Sequence, residues 1–398
     1  MFSETRLIIK QIDHTQGGAQ LDTESAMVYY PSKLSLSTEA RVSAAQLTGE
    51  IPVVGGYIPQ PGSMVILDAT DDDGVFVRVF VGFVFSYSVD RFGVVNFTAF
   101  DAMRYLQNPA TGKWMGKNGI DISEIIRSIV RSCGMEAMAN EMEAEEVGVK
   151  PIRLIKIAEK GIDIIDELLE WAQLKATADE NGITTKGGKP YHATRAGERW
   201  VFIDNAGKFL LCTANQLAEK VMGVTEPPII GTGRAVTDFS MNVGIDDSAN
   251  RVWLLRASDI GISGWEASDP ETIKKWGPLT YYEKIDNAYC RNNEQMQLRA
   301  AVELCTRDCE KRSVSLTTLG MTGLRAGMLV RINMPWLNDY FGDVSDSKLV
   351  YLDSVTHEWE EGTHTMSLNA ESLPGDTDLE VWERMATKLT VPKRKRGK

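Results

Sequence analysis

The side chains best suited to nucleophilic or metal chemistry are few: His14, His192, His357 and His364, with Cys133, Cys212, Cys290, Cys305 and Cys309. A His-based triad and a His-rich metal site both start from this thin supply. Cys305 and Cys309 stand one helical turn apart, but a zinc site needs about four ligands and no nearby His or Cys completes one. Both fall on the apolar stripe of their helix, so the pair reads as buried structural thiols. His357 and His364 flank a hairpin turn. If that turn is the two-residue Glu361-Gly362 type, both rings project from one face, diagonally across the strands. A metal held at a symmetry axis is one use of such a pair. Packing beside Trp359 with hydrogen bonds inside the sheet is the favoured one, because nothing else supplies the missing ligands. His357-Glu358 lacks the second His that a zincin helix places four residues on. Gly231-Thr232-Gly233-Arg234 lacks the third glycine of a dinucleotide loop, and neither a Walker loop nor a Gly-x-Ser-x-Gly elbow occurs. Carboxylates are so abundant that no pair stands out as the two a glycosidase sets across a cleft. The sequence predicts no catalytic residue, no cofactor and no metal.

The chain holds 398 residues, 43% apolar and 25% charged, ordinary proportions for a folded soluble protein with room for about two to four domains. Lys and Arg number 43 against 55 Asp and Glu, a net charge of −12. That argues against stable nucleic-acid binding, whose footprint is basic surface. The C-terminal run Lys393, Arg394, Lys395 and Arg396 opposes this balance locally, as a solvated end first, and second as a docking tail for an acidic partner or a nucleic-acid contact. Few cysteines, odd in number, fit reduced thiols in a cytosolic product. No apolar run is long enough to span a bilayer, and the stretch from Met1 to Arg6 lacks the regions of a signal peptide. Direct membrane insertion is not expected.

These residues sit in a chain that reads as α+β and mainly β. Short strands run from Arg6 to Ile12, Ala26 to Tyr30, Lys33 to Thr38 and Met64 to Leu67, with breaker clusters between them. After the turn signal Asp71-Asp72-Asp73-Gly74, one strand carries Val75, Val77, Val79, Val81, Phe83, Phe85 and Tyr87 on one face. Its other face, starting with Phe76 and Phe80, is also largely apolar. The favoured reading is a strand in the middle of a sandwich or barrel; the sharper one covers a face with a second subunit, at Val77, Val79, Val81 and Phe83. The middle of the chain turns helical. Asp121 caps a stripe of Ile122, Ile125, Ile126, Ile129, Val130 and Cys133, and a second helix runs from about Gly161 to Thr177. A hairpin spans Arg199 to Leu211. Strands return at Val236–Val243 and Arg251–Arg256, a helix is expected over 293–311, and strands follow at Ser313–Leu319, Met328–Asn333, Lys348–Trp359 and Thr363–Asn369. The segment Trp265–Tyr289 fits no element. The expected partition is a β domain over 1–107 completed by about 199–240, a mixed helical insertion over 108–198, a second β domain over 241–372 with the 293–311 helix, and an amphipathic segment with basic tail over 373–398.

The order Leu324-Arg325-Ala326-Gly327, a strand, Ser354-Val355-Thr356-His357, a turn, then His364-Thr365-Met366-Ser367-Leu368 resembles the baseplate hub proteins of contractile-tailed phages, defective prophages and phage-tail-like bacteriocins (tailocins). Phe100-Asp101-Ala102-Met103-Arg104-Tyr105-Leu106 is similar to that family's strand followed by Asp-Ala-x-x-Tyr-Leu, and the match runs from roughly residue 60 to 372. The resemblance implies two tube-like antiparallel β-barrel or sandwich domains per chain and a homotrimer that closes into a ring. Such a ring adapts a sixfold tail tube to a threefold central spike and forms part of the channel, with the helical insertion facing other baseplate (wedge or LysM-like) proteins. It implies assembly in the bacterial host cytoplasm, a place in the phage or tailocin particle, and no catalytic residues. Leu324, Arg325, His357, Trp359 and His364 join the β-strand residues as candidate contacts with a subunit or partner. The tail is assigned to the spike, to the tape-measure protein or to no partner. No spare domain for a cell-wall hydrolase is expected after residue 372. The alternative reading is a tail-tip peptidoglycan-degrading enzyme.

Overall fold

The computed structural model describes residues 4–11, 26–41, 43–53, 57–147, 150–151, 153–169, 199–231, 236–258, 261–284, 311–333 and 348–372, with a few positions between 296 and 310. The basic tail and most of the 293–311 helix expected from the sequence lie outside them. The chain divides into two compact units: residues 1–169, 199–240 and 314–371, and residues 170–198, 241–313 and 372–398.

The first unit begins with β1 (Thr5–Lys10), β2 (Met27–Tyr29), β3 (Lys33–Glu39), β4 (Gln46–Pro52), β5 (Met64–Thr70), β6 (Phe76–Val89) and β7 (Val94–Phe100). Its insertion supplies β8 (Pro109–Met115), β9 (Glu143–Ala144), β10 (Arg153–Lys160), β11 (Arg199–Ile203) and β12 (Phe209–Thr213). β13 (Ile229–Gly231) and β14 (Val236–Gly244) follow. After β15 (Arg251–Ser258), β16 (Gly261–Ser268) and β17 (Thr280–Lys284) of the second unit, the chain returns to the first with β18 (Lys311–Leu319), β19 (Leu329–Asn333), β20 (Lys348–Glu360) and β21 (Thr363–Ser372).

One sheet runs β14-β18-β21-β20-β3-β4-β7-β6-β5-β1-β2, with β13 and β19 attached through β20. Strands from residues 314–371 therefore share a sheet with strands from residues 1–107, where the sequence suggests separate β domains. The physical cause is a match of period-two patterns. Val355, His357 and Trp359 of β20 stand directly opposite Thr38, Leu36 and Leu34 of β3, and all six are buried. The expected closed barrel is not what forms: among the described residues the path has two ends, β14 and β2. The sheet instead turns through long strands that change partner. β6 pairs with β5 over Phe76–Phe83 and with β7 over Phe83–Val89, with register shifts at Leu67/Asp68 and Val84/Ser86, the bulges that bend and twist a strand. One core collects Leu7, Ile9, Leu34, Leu36, Leu47, Val65, Leu67, Phe80, Val95, Phe97 and Trp359. A side chain of that size contributes roughly 1.5–3 kcal/mol when fully buried.

Helices fill the insertion. α1 (Ile122–Ser132) is capped by Asp121, whose Oδ1 accepts from the Ser123 N–H at 3.0 Å, and it buries its isoleucine stripe. α2 (Glu136–Glu141) follows, then α3 (161–169), and α4 (Ala214–Met222), which is closed by a capping box between Thr213 and Gln216. Glu143, in the acid-rich segment 136–146, holds both Lys208 and Lys220. β11, β12 and β9 form one small sheet, and β8 and β10 a two-stranded ribbon.

The second unit has its own sheet, β16-β15-β17, with α5 (Pro270–Trp276) linking β16 to β17, which runs parallel to β15. Val252 and Leu254 pack there against Met296, Ala300 and Leu304. This is the segment that the sequence leaves unplaced. Its signals are local: Asp269 caps α5, Pro270 stands at its first turn, and buried Asn250 donates to the Gly277 carbonyl and accepts from the Leu279 N–H, both at 2.8 Å. No described helix is long and apolar enough to cross a membrane.

Candidate functional site

Leu324-Arg325-Ala326-Gly327 enters β19 through a buried turn on which four separate chain segments converge. His357 of β20 donates from Nε2 to the Leu324 carbonyl at 2.8 Å. Its Nδ1 is then the acceptor of the pair it makes with His364 Nε2, at 2.9 Å. Arg325 donates to the Ile203 carbonyl of β11 and lies 3.8 Å from Asp101. The Ala326 N–H donates to Thr38 Oγ1 on β3 at 3.1 Å, and the Gly327 N–H to the Leu352 carbonyl on β20 at 2.8 Å. Gly327 adopts φ +88° with the Phe202 ring where a Cβ would sit. Any side chain there meets both a backbone penalty and a clash.

The histidine pair is set by the hairpin turn. Glu361 and Gly362 both have positive φ, 50° and 80°, the signature of a two-residue type I′ turn. Trp359 then stacks on His364 with centroids 4.5 Å apart, and His357 lies against the other edge of the cluster, 5.1 Å from His364. Burial pushes His357 down to about 4, so it stays neutral at physiological pH. Burial also opposes charge on both members of the neighbouring pair. It drives the Asp101 carboxyl up to about 6 and lowers the Arg325 guanidinium. At 3.8 Å the two attract without a hydrogen bond, which offsets burial only in part. Asp101 is nonetheless anchored: its Oδ1 accepts from the Met103 N–H at 3.0 Å and caps the 3-10 helix Ala102–Gln107. A cavity of about 20 Å³ borders Thr38, Asp101, Ile203 and Arg325, room for a single water molecule.

The candidate contact residues are thus brought together in part, but inside the protomer. Leu324, His357, Trp359 and His364 are buried, and Arg325 nearly so. Val79, Val81 and Phe83 are buried too, and half-buried Val77 packs on the core. Within this chain, its own elements cover them. The Gly207 turn between β11 and β12 faces Val81, so that a Cβ built on Gly207 would come within 3.1 Å of it, and the Tyr105 ring meets Phe83 edge-on at 5.5 Å. The exposed apolar residues of β6 lie further on, at Phe85, Tyr87 and Val89, beyond the reach of β5, with Phe92 at the hairpin tip 75% exposed. Lys393, Arg394, Lys395 and Arg396 lie outside the described residues. Among the described residues no group of three or more His, Cys, Asp or Glu could hold a metal. Cys133 and Cys212 are buried free thiols, and burial pushes Cys212 up to about 12, far from a reactive thiolate. Cys305 and Cys309 lie outside the described residues.

An open, largely antiparallel sheet with a buried, hydrogen-bonded turn is a β-rich fold shared with tail proteins. The chain superimposes on the crystal structure of the tail protein from Neisseria meningitidis MC58 with a TM-score of 0.60 and 11% identity, over 97% of this chain and 99% of that one. It is similar in fold to a chain of the Francisella PdpA–VgrG complex, with a TM-score of 0.55 and 11% identity, over 93% of this chain and 58% of that one. A sequence relative is the phage-like element PBSX protein XkdQ of Bacillus subtilis, 27% identical over 142 residues, or 35% of this chain. The matched stretch spans about two-fifths of the curated relatives. Residues 34–371 match the YQBQ-like family model, and the chain belongs to that family.

Proposed function

We propose that this protein is a structural baseplate hub of a contractile tail, in a phage or a tailocin. It works as a homotrimer that joins a sixfold tail tube to a threefold central spike and forms part of the channel, without catalysis. The observation that carries this is the extent of the fold match: nearly all of this chain and nearly all of the Neisseria meningitidis tail protein superimpose. Family membership with a relative from a phage-like element, and a shared fold with a VgrG-complex chain, support a tail component that meets a spike. The site supports assembly rather than turnover, since its polar groups are buried and engaged with one another. Assembly takes place in the host cytoplasm and the product resides in the particle.

Light scattering on the purified protein, alone and with its spike, tests the trimer. A stable monomer in both conditions would sink it. Mass spectrometry of purified particles should find the chain in roughly spike-like abundance, and its absence would remove the tail role. Release of soluble fragments from purified cell walls would restore the hydrolase reading.

A further inference from the structure

We propose that the outward face of the β8–β10 ribbon is a docking surface for an extended, acidic segment of another protein, one that sets apolar side chains beside Ile155 and Ile157 and carboxylates beside Lys113 and Arg153. The hub reading supplies only the source of that segment, a second tail component; the surface stands on its own geometry.

The ribbon is two-faced. Leu154 stands opposite Trp114, and both are buried. On the other face Arg153 stands opposite Met115 and Ile155 opposite Lys113. Met115 is 49% exposed, Ile155 39% and Ile157 74%, so the insertion presents three large aliphatic side chains on one small strip. Isolated exposed hydrophobics need no explanation, but a cluster framed by charge marks a contact surface. The charges are informative. Arg127, Arg131, Lys150 and Lys156 of the insertion each hold a carboxylate. Lys113, Arg153, and Lys117 and Lys160 at the ribbon ends, make no ion pair among the described residues. In a chain of net charge −12, unpaired cations gathered around an apolar strip select an acidic partner and disfavour a basic one.

The backbone selects an extended one. Among the described residues β8 is the strand partner of β10, and none of them pairs with its outer edge. A register shift after Lys156, with Ala158 at φ +52° and its N–H turned to Thr111 Oγ1, confines the usable edge to Arg153–Lys156. A strand added there runs its alternate side chains past Arg153, Ile155 and the neighbouring Ile157.

The test is fluorescence anisotropy on the full chain with a labelled eight-residue peptide. It carries valine and then glutamate at successive alternate positions, with threonine between. Versions with lysine or threonine replacing glutamate serve as controls. The acidic peptide should bind at least tenfold tighter than either control, and added salt should weaken it. Ile157→Glu, and the pair Lys113→Glu with Arg153→Glu, should each weaken it at least tenfold, while the double reversal should favour the lysine peptide. All three residues are exposed, so unchanged melting temperatures confirm folding. Equal binding of the three peptides, or binding untouched by Ile157→Glu, overturns the proposal. So does self-association of the chain that Ile157→Glu abolishes without any peptide binding, since the occupant would then be a second copy. Peptide binding by a chain absent from particles keeps the surface and removes the hub; the reverse result keeps the hub and removes the surface.

Discussion

At the scale of single residues, the buried turn is flanked by two titrating groups that pull in opposite directions. His357 takes a proton near pH 4 in the fold against about 6.5 in an unfolded chain. Its contribution to stability is complete above about pH 6.5 and is lost as the pH falls toward 4, on the order of 3 kcal/mol. Asp101 takes its proton near pH 6 in the fold against 3.8 in the reference state. Its burial therefore costs stability as the pH rises through that window, by a similar order. Between about pH 4 and 6 the two nearly cancel. In urea melts from pH 4 to 7, Asp101→Asn should cost least near pH 7, where it removes a carboxylate whose burial is itself unfavourable. It should also add an acid sensitivity of about 3 kcal/mol relative to the parent. His357→Gln should show the opposite slope and gain stability on acidification. Parallel curves for all three proteins would mean that neither group titrates as its burial dictates. A steric prediction belongs here too. A methyl on Gly320 would overlap the His364 ring at 2.2 Å, so Gly320→Ala should cost about 1–3 kcal/mol in the same assay.

At the scale of elements, β6 shows what the sequence could and could not say. Its two apolar faces were legible from alternation, and so was a central place in the sheet. What covers the outer face was not. The β11–β12 turn that sits on Val81 arrives from more than a hundred residues away, and no local signal records that contact. The change from buried Val84 to exposed Phe85 is equally silent, because the stripe continues unbroken while β5 ends. The histidine pair was legible because a two-residue turn fixes its geometry locally. The Asp101–Arg325 neighbour was not, since its members meet only once the sheet has formed. Likewise α5 could have been read from Asp269, Pro270 and Gly277, while the parallel pairing of β17 to β15 could not. The burial change along β6 makes a paired prediction. Val81→Asp puts a carboxylate under the Gly207 turn and should cost several kcal/mol or abolish folding, on the order expected for an unpaired buried charge. Tyr87→Asp, on the exposed half, should leave the unfolding free energy of the isolated chain unchanged within about 0.5 kcal/mol. Equal effects would show that β6 is not divided at Val84.

At the scale of the whole molecule, the question is whether the two ends of the sequence fold separately. Reading along the chain suggests that they do, with one β domain before the insertion and one after it. The strand pairing says otherwise. β20 fills the edge of β3 with Val355, His357 and Trp359 opposite Thr38, Leu36 and Leu34, and Thr38 Oγ1 bonds to the Val355 carbonyl and accepts from Ala326. Remove residues 314–398 and β3 is left as an apolar, unpaired edge, Trp359 leaves the core, and Asp101 loses Arg325. An open hydrophobic edge of this kind is a template for aggregation. A chain ending at residue 313 should therefore be insoluble when made alone. The same chain co-expressed with residues 314–398 should be recovered as a soluble complex, because the second fragment brings the matching pattern and the hydrogen bonds of the turn with it. Non-local pairing of this span must also pay its loop-closure entropy before it gains any contacts, so the intact chain should refold slowly, in milliseconds to seconds. A soluble, cooperatively melting 1–313 fragment would instead establish that the N-terminal strands close a core of their own, and that β20 joins a sheet already formed.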